Sequence, residues 1–160
     1  MNVILPSNRL TEWYEMLQVS KQHTGIILDD HVESYVILTL DRYLQDQLIT
    51  DLALAVEFMQ AINLKKTQNR NMLRHIGDRC LILAGLFKLR SERLNVSDDY
   101  FCEIGQQAYL NLASFHKLHI DPELFWKMAK HFVAISTLLQ SIRVLNQSDA
   151  IVPKKDSTEY

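Results

Sequence analysis

Three ionisable side chains stand within five positions in the stretch LRHIGDRCLILAGLFKLR, residues 73–90: His75, Asp78 and Arg79. On a helix, His75 and Arg79 are four apart and share a face, and Asp78 lies about 60° round from His75 at 100° per residue. An imidazole beside a carboxylate can move a proton or hold a metal, and a neighbouring guanidinium would tune both. The same three residues can instead form a polar lock that fixes helix register, because a buried ion without a partner carries a large desolvation cost. The lock is the favoured reading. A working site needs groups converging from other helices, and Glu33, Tyr109 and His131 are the candidates for that part.

Other reactive patterns are sparse. Carboxylate-bridged di-iron bundles need Glu-x-x-His motifs. The residues three before the six histidines are Ser20, Leu28, Met72, Ala113, His116 and Met128, none of them a carboxylate. HExxH, G-x-S-x-G, the Walker loop and G-x-G-x-x-G are also absent. His116 and His119, three apart with Asp121 nearby, are the remaining weak metal candidates, and capping of a helix C-terminus explains them more simply. His131, between Met128 and Ile135, reads as a hydrogen-bonded core histidine. Cys80 and Cys102 read as small buried core residues, and Cys80 lies away from the helix N-terminus that would activate it. No cofactor is expected, and the sequence does not decide whether the protein is an enzyme.

The net charge of −2 conceals an uneven distribution. Residues 65–93 hold eight Lys/Arg against two Asp/Glu, and residues 26–61 hold one Arg against seven Asp/Glu. A basic helix packed near an acidic one accounts for this most simply. Lys65, Lys66, Arg70 and Arg74 are the candidate partner-binding residues. Nucleic acid is a less favoured partner for them, as motifs and aromatic stacking platforms are missing. The N-terminus lacks the pattern of a signal peptide, and no apolar run reaches the ~18 residues of a membrane span. The two cysteines suit a cytoplasmic location.

These residues must be positioned by helices. Only four glycines and three prolines punctuate 160 residues, too few for a sandwich or barrel. The expected fold is all-α, a single-domain bundle of five or six helices over residues 1–146, followed by a flexible tail at 147–160. Leu10, Trp13, Tyr14 and Leu17 mark a first helix from about residue 7 to 19, ended near Gly25. Asp30 and Glu33 resemble a capping box opening a second, and Thr50 starts a third; whether these two are separate is left open. The fourth, about residues 67–89, is central, because Leu81–Phe87 cannot present a wet face. Ser97 caps a fifth that runs to about His116, and Asp121–Pro122–Glu123 opens a sixth that runs to Leu145. Gly77, Cys80 and Ala84 form a small-residue face, with Gly105 and Ala108 as a second.

H-I-G-D, then L-I-L-A-G-L-F, then D-Y-F and G-Q-Q-A-Y, over residues 73–113, resembles small all-helical, functionally uncharacterised bacterial proteins. His75, Gly77, Asp78, Gly85, Phe87, Tyr100, Gly105 and Tyr109 carry the resemblance. It covers about a quarter of the chain. It implies a bacterial cytosolic helical protein and supplies no activity. The leading expectation is therefore a non-enzymatic module that binds a protein partner or a second copy of itself. The alternatives are a metal- or cofactor-dependent helical enzyme centred on His75, Asp78 and Arg79, and a nucleic-acid binder.

Overall fold

The computed structural model describes residues 4–43, 69–87, 98–115 and 121–145. These form six helices and no strand: α1 (Ile4–Thr24), α2 (Asp30–Tyr43), α3 (Arg70–Gly85), α4 (Asp98–Ala113), α5 (Pro122–Lys130) and α6 (Phe132–Leu145). The third helix expected from Thr50 and the C-terminal tail lie outside the described residues.

Helix α3 is central. Every residue from Ile76 to Phe87 except Arg79 is buried, as the unbroken apolar run requires. It packs most extensively on α4, then on α6 and α2. The small residues set this closeness. A Cβ on Gly77 would lie 2.5 Å from Tyr109 Cε1 of α4, and one on Gly105 would lie 3.0 Å from Cys80 Cβ of α3. Polar side chains of α6 tie down the end of α3. Gln140 Nε2 donates to the Ala84 carbonyl at 3.0 Å and an Arg143 N–H donates to the Leu86 carbonyl at 2.7 Å. They satisfy acceptors that a helix end otherwise leaves open.

Caps refine the boundaries. Helix α1 runs to Thr24, beyond the expected residue 19, and Gly25 closes it with φ +77°. Helix α2 is capped one residue before the expected position: Asp29 Oδ1 accepts from Val32 N–H at 3.0 Å, and Asp30 is already helical. The Glu33 side chain is therefore not a capping-box partner. It turns to α1, where Lys21 Nζ donates to it at 2.7 Å and Gln18 also donates. Asn69 caps α3 by accepting from Met72 N–H at 3.1 Å. Asp121 caps α5 as expected, accepting from Leu124 N–H at 3.1 Å.

The long last helix expected from Asp121 to Leu145 is two helices. His131, at φ −102° and ψ 17°, breaks it. The break turns Phe132 inward to full burial and leaves His131 exposed, so His131 is not a core histidine. Burying a phenylalanine gains more than burying an imidazole, which decides the register at this point.

Many of the charged residues in the acidic and basic halves, among them Asp46, Asp51, Glu57, Lys65, Lys66, Lys88, Arg90 and Arg93, lie outside the described residues. Among the described residues, the carboxylates of α2 and its lead-in pair mainly with α1 and α5. The ion pairs are Asp41 with Arg9 (2.6 Å), Glu33 with Lys21 (2.7 Å) and Asp29 with Lys127 (2.6 Å).

Candidate functional site

The polar residues of the fold gather on one atom pair, the carboxylate of Asp78. Three helices deliver them. Asp78 sits on the buried face of α3 and is fully inaccessible. Helix α2 supplies Tyr35, Arg42 and Tyr43, whose spacings of seven and eight place them on one face. Helix α4 supplies Tyr109. Gly77 explains how Tyr109 arrives: its missing Cβ leaves the seat into which the Tyr109 ring settles, beside the next residue, Asp78.

The tyrosine hydroxyls converge on a single oxygen. Tyr109 donates to Asp78 Oδ1 at 2.6 Å and Tyr35 donates to the same oxygen at 2.7 Å. The two rings meet edge-on with centroids 6.5 Å apart, and both pack against Phe125 of α5, at 5.4 Å for Tyr35 and 5.8 Å for Tyr109. Beside them, the Tyr43 hydroxyl is hydrogen-bonded to His75 Nδ1.

The other carboxylate oxygen is unfinished. Asp78 Oδ2 is buried without a hydrogen-bond partner. Its nearest cation is Arg42, with Nη1 3.9 Å away, too far for a hydrogen bond. The Nε atoms of Arg74 and Arg79 are likewise buried and unpartnered. Arg42 and Arg74 act electrostatically on Asp78, and Arg42 and Arg79 act on Tyr43. Two guanidinium groups thus act on one carboxylate.

The acidities follow from burial. Desolvation pushes the Asp78 carboxyl up to about 6, against the Tyr109 and Tyr35 hydrogen bonds and the positive charges of Arg42 and Arg74. Burial, and then the negative charge of Asp78, raises the hydroxyls of Tyr35, Tyr43 and Tyr109 above their ordinary range. Burial pushes the Cys80 thiol up as well. These phenols and this thiol are held protonated, in the form that donates hydrogen bonds and does not attack.

Of the residues singled out in the sequence, His75, Asp78, Arg79 and Tyr109 come together. Arg74 joins them instead of standing on an open basic face, since its Nε is buried. Arg70 is partly buried at the first turn of α3. Glu33 belongs to a separate cluster with Lys21 and Gln18, and His131 is exposed at the break between α5 and α6. Lys65, Lys66, His116 and His119 lie outside the described residues. Among the described residues, no group of three or more His, Cys, Asp or Glu is placed to hold a metal ion.

Sequence reasoning missed Tyr35, Arg42 and Tyr43. The available signal was a row of polar-tipped side chains at helical spacing on the inner face of α2.

A second feature lies between α4 and α5. Gln106, Gln107, Leu110, Trp126, Ala129 and Lys130 line a groove of about 360 Å³. Trp126 is half-exposed there, with Lys130 Nζ 4.8 Å from its ring centroid.

No protein-family model, curated protein or solved structure matches the chain. Its class is therefore given by the fold alone: an all-α bundle with a polar cluster at its centre. Among the described residues, no helix is long and apolar enough to cross a membrane.

Proposed function

We propose that this protein is a non-enzymatic helical binding protein whose ligand site is the half-satisfied cluster around Asp78. One observation carries the reading. Asp78 Oδ2 and the Nε atoms of Arg74 and Arg79, all carried by α3, are buried with no hydrogen-bond partner. Each such atom carries the desolvation penalty of an unpaired polar group until something completes it. Binding is favoured over nucleophilic catalysis because burial raises the tyrosine hydroxyls and the Cys80 thiol, holding them in the form that does not attack. A cytoplasmic location belongs to the same proposal, supported by the two free cysteines.

Native mass spectrometry of the purified protein tests the reading, followed by a melting-temperature screen of small polar molecules. The expected result is retained mass, or stabilisation, that is lost in Arg42→Ala. A bare protein that no small molecule stabilises would contradict it.

A second reading, binding to a protein partner or a second copy, is favoured by the α4–α5 groove. Trp126 and Leu110 leave apolar surface exposed there, and tryptophan is a common interface anchor. Sedimentation of wild type and Trp126→Ala checks it: self-association lost in the variant supports this second reading, and identical monomers exclude self-association through the groove.

A further inference from the structure

The unsatisfied atoms specify a ligand by complementarity. Asp78 Oδ2 can only accept a hydrogen bond, so the ligand group facing it must carry a proton. Arg42 and Arg74, the cations that act on Asp78, can only donate, so the same ligand must offer acceptor oxygens. The charges decide its sign. Among the described residues, two guanidinium groups, those of Arg42 and Arg74, act on this one carboxylate, which leaves an excess of positive charge. A neutral ligand would leave that excess in place, and a cation would add to it.

The approach is from the Arg42 side. The Arg42 side chain is 47% exposed, whereas Asp78 is fully buried. Arg42 Nη1 stands 3.9 Å from Oδ2, so the guanidinium can turn to a ligand without giving up a hydrogen bond to the carboxylate. The opposite side is fixed, because Tyr35 and Tyr109 hold Oδ1 and pack against Phe125, Tyr35 edge-on and Tyr109 stacked. Asp78 therefore presents a rigid acceptor to whatever the arginines bring in.

We infer that the Asp78 cluster binds inorganic phosphate as the hydrogenphosphate ion, whose hydroxyl donates to Asp78 Oδ2 while its other oxygens accept from Arg42 and Arg74. This deepens the proposed function and rests on it. A carboxylate at the centre of an arginine cluster repels any oxyanion that lacks a proton, so the site distinguishes phosphate from sulfate.

Isothermal titration at pH 8 tests this on the full chain with four probes: inorganic phosphate, sulfate, phenyl phosphate and acetamide. At that pH hydrogenphosphate keeps its proton. Sulfate has none, and a phosphate monoester has lost its own, with a second pKa of about 6. Phosphate should bind at least about tenfold more tightly than sulfate or phenyl phosphate, the factor expected for one charge-assisted hydrogen bond against one repulsion. Arg42→Ala should weaken phosphate by about tenfold or more; its exposed side chain makes folding secure. Asp78→Asn should bring phosphate and sulfate within about twofold of each other, because an amide can donate to either ion.

Equal binding of sulfate or phenyl phosphate in the wild type would overturn the inference, as would phosphate binding untouched by Arg42→Ala. Arg42-dependent binding of acetamide without phosphate would overturn it too, yet leave the ligand-binding reading standing. Absence of binding by all four, together with an empty small-molecule screen, would remove both.

Discussion

Glu33 and Asp78 are both carboxylates turned inward from helices, and they meet opposite fates. Both Glu33 oxygens are taken: Lys21 donates to Oε1 at 2.7 Å and Gln18 donates to Oε2. Both partners lie on the neighbouring α1, and the Lys21 side chain keeps contact with water, being 20% exposed. This is a completed polar lock between two helices. Asp78 is buried more deeply, receives both of its hydrogen bonds on Oδ1 and leaves Oδ2 without one, 3.9 Å from Arg42 Nη1. The same fold that satisfies one carboxylate fully stops short of doing so for the other. Structural need alone would be met by an arginine placed as Lys21 is. The unfinished side of Asp78 is what supports the proposed site there.

The comparison can be broken most strongly through pH. Burial raises the folded-state acidity constant of Asp78 to about 6, above the ordinary 3.8. The native state therefore holds a proton between about pH 4 and 6 that the unfolded chain has released. Stability is greatest below that window and falls as pH rises through it, by about 3 kcal/mol in total. Asp78→Asn should abolish that fall. Denaturant unfolding at a series of pH values measures it, and the lock reading is favoured if both proteins lose the same stability across the window.

The seat of Tyr109 gives the next largest effect. Gly77→Ala would place a methyl 2.5 Å from Tyr109 Cε1. The ring must shift, at a cost of about 2 kcal/mol for overpacking a filled interior. A shifted ring also loosens the bond to Asp78, so the near-ultraviolet tyrosine signal should change together with the unfolding midpoint.

Tyr109→Phe removes a single donor from the charged carboxylate. About 1.5 kcal/mol should be lost at pH 8 and less at pH 4, where the acceptor is neutral. Because that hydrogen bond holds the carboxyl down, the variant should also move the stability window to higher pH. A loss equal at both pH values would mean that the ring, not the hydroxyl, does the stabilising. The smallest effect is expected at the completed lock. Glu33→Gln keeps one acceptor oxygen for Lys21, and its new amide N–H can donate to the Gln18 oxygen if that amide turns over, so replacing a partly solvated pair should cost under about 1 kcal/mol. A larger loss there would erase the contrast between the two carboxylates.

Much of the scaffold was legible from local rules. The apolar run Leu81–Phe87 gave a buried central helix, and Asp121–Pro122 gave the start of α5, because periodicity and capping act within a few residues. The Asp29 cap was misassigned by one residue because two adjacent aspartates offer the same signal. The break at His131 had no glycine or proline to announce it; it arises from the inward packing of Phe132 in the folded core. The cluster was half legible for the same reason. His75, Asp78 and Arg79 share one turn of helix, and Tyr109 was a candidate. Tyr35, Arg42 and Tyr43 reach Asp78 or its neighbour His75 only through the packing of α2 on α3. A tyrosine on an inner stripe resembles any other apolar residue until the partner of its hydroxyl is known.

The most direct test of whether Asp78 is unfinished is a carboxyl-detected NMR titration of the ligand-free protein, with the resonance assigned by Asp78→Asn. The account predicts a midpoint near 6, shifted up by burial around an oxygen that lacks a partner. A midpoint at or below the ordinary 3.8 would show that the arginines already complete the charged carboxylate and that Asp78, like Glu33, is a structural lock.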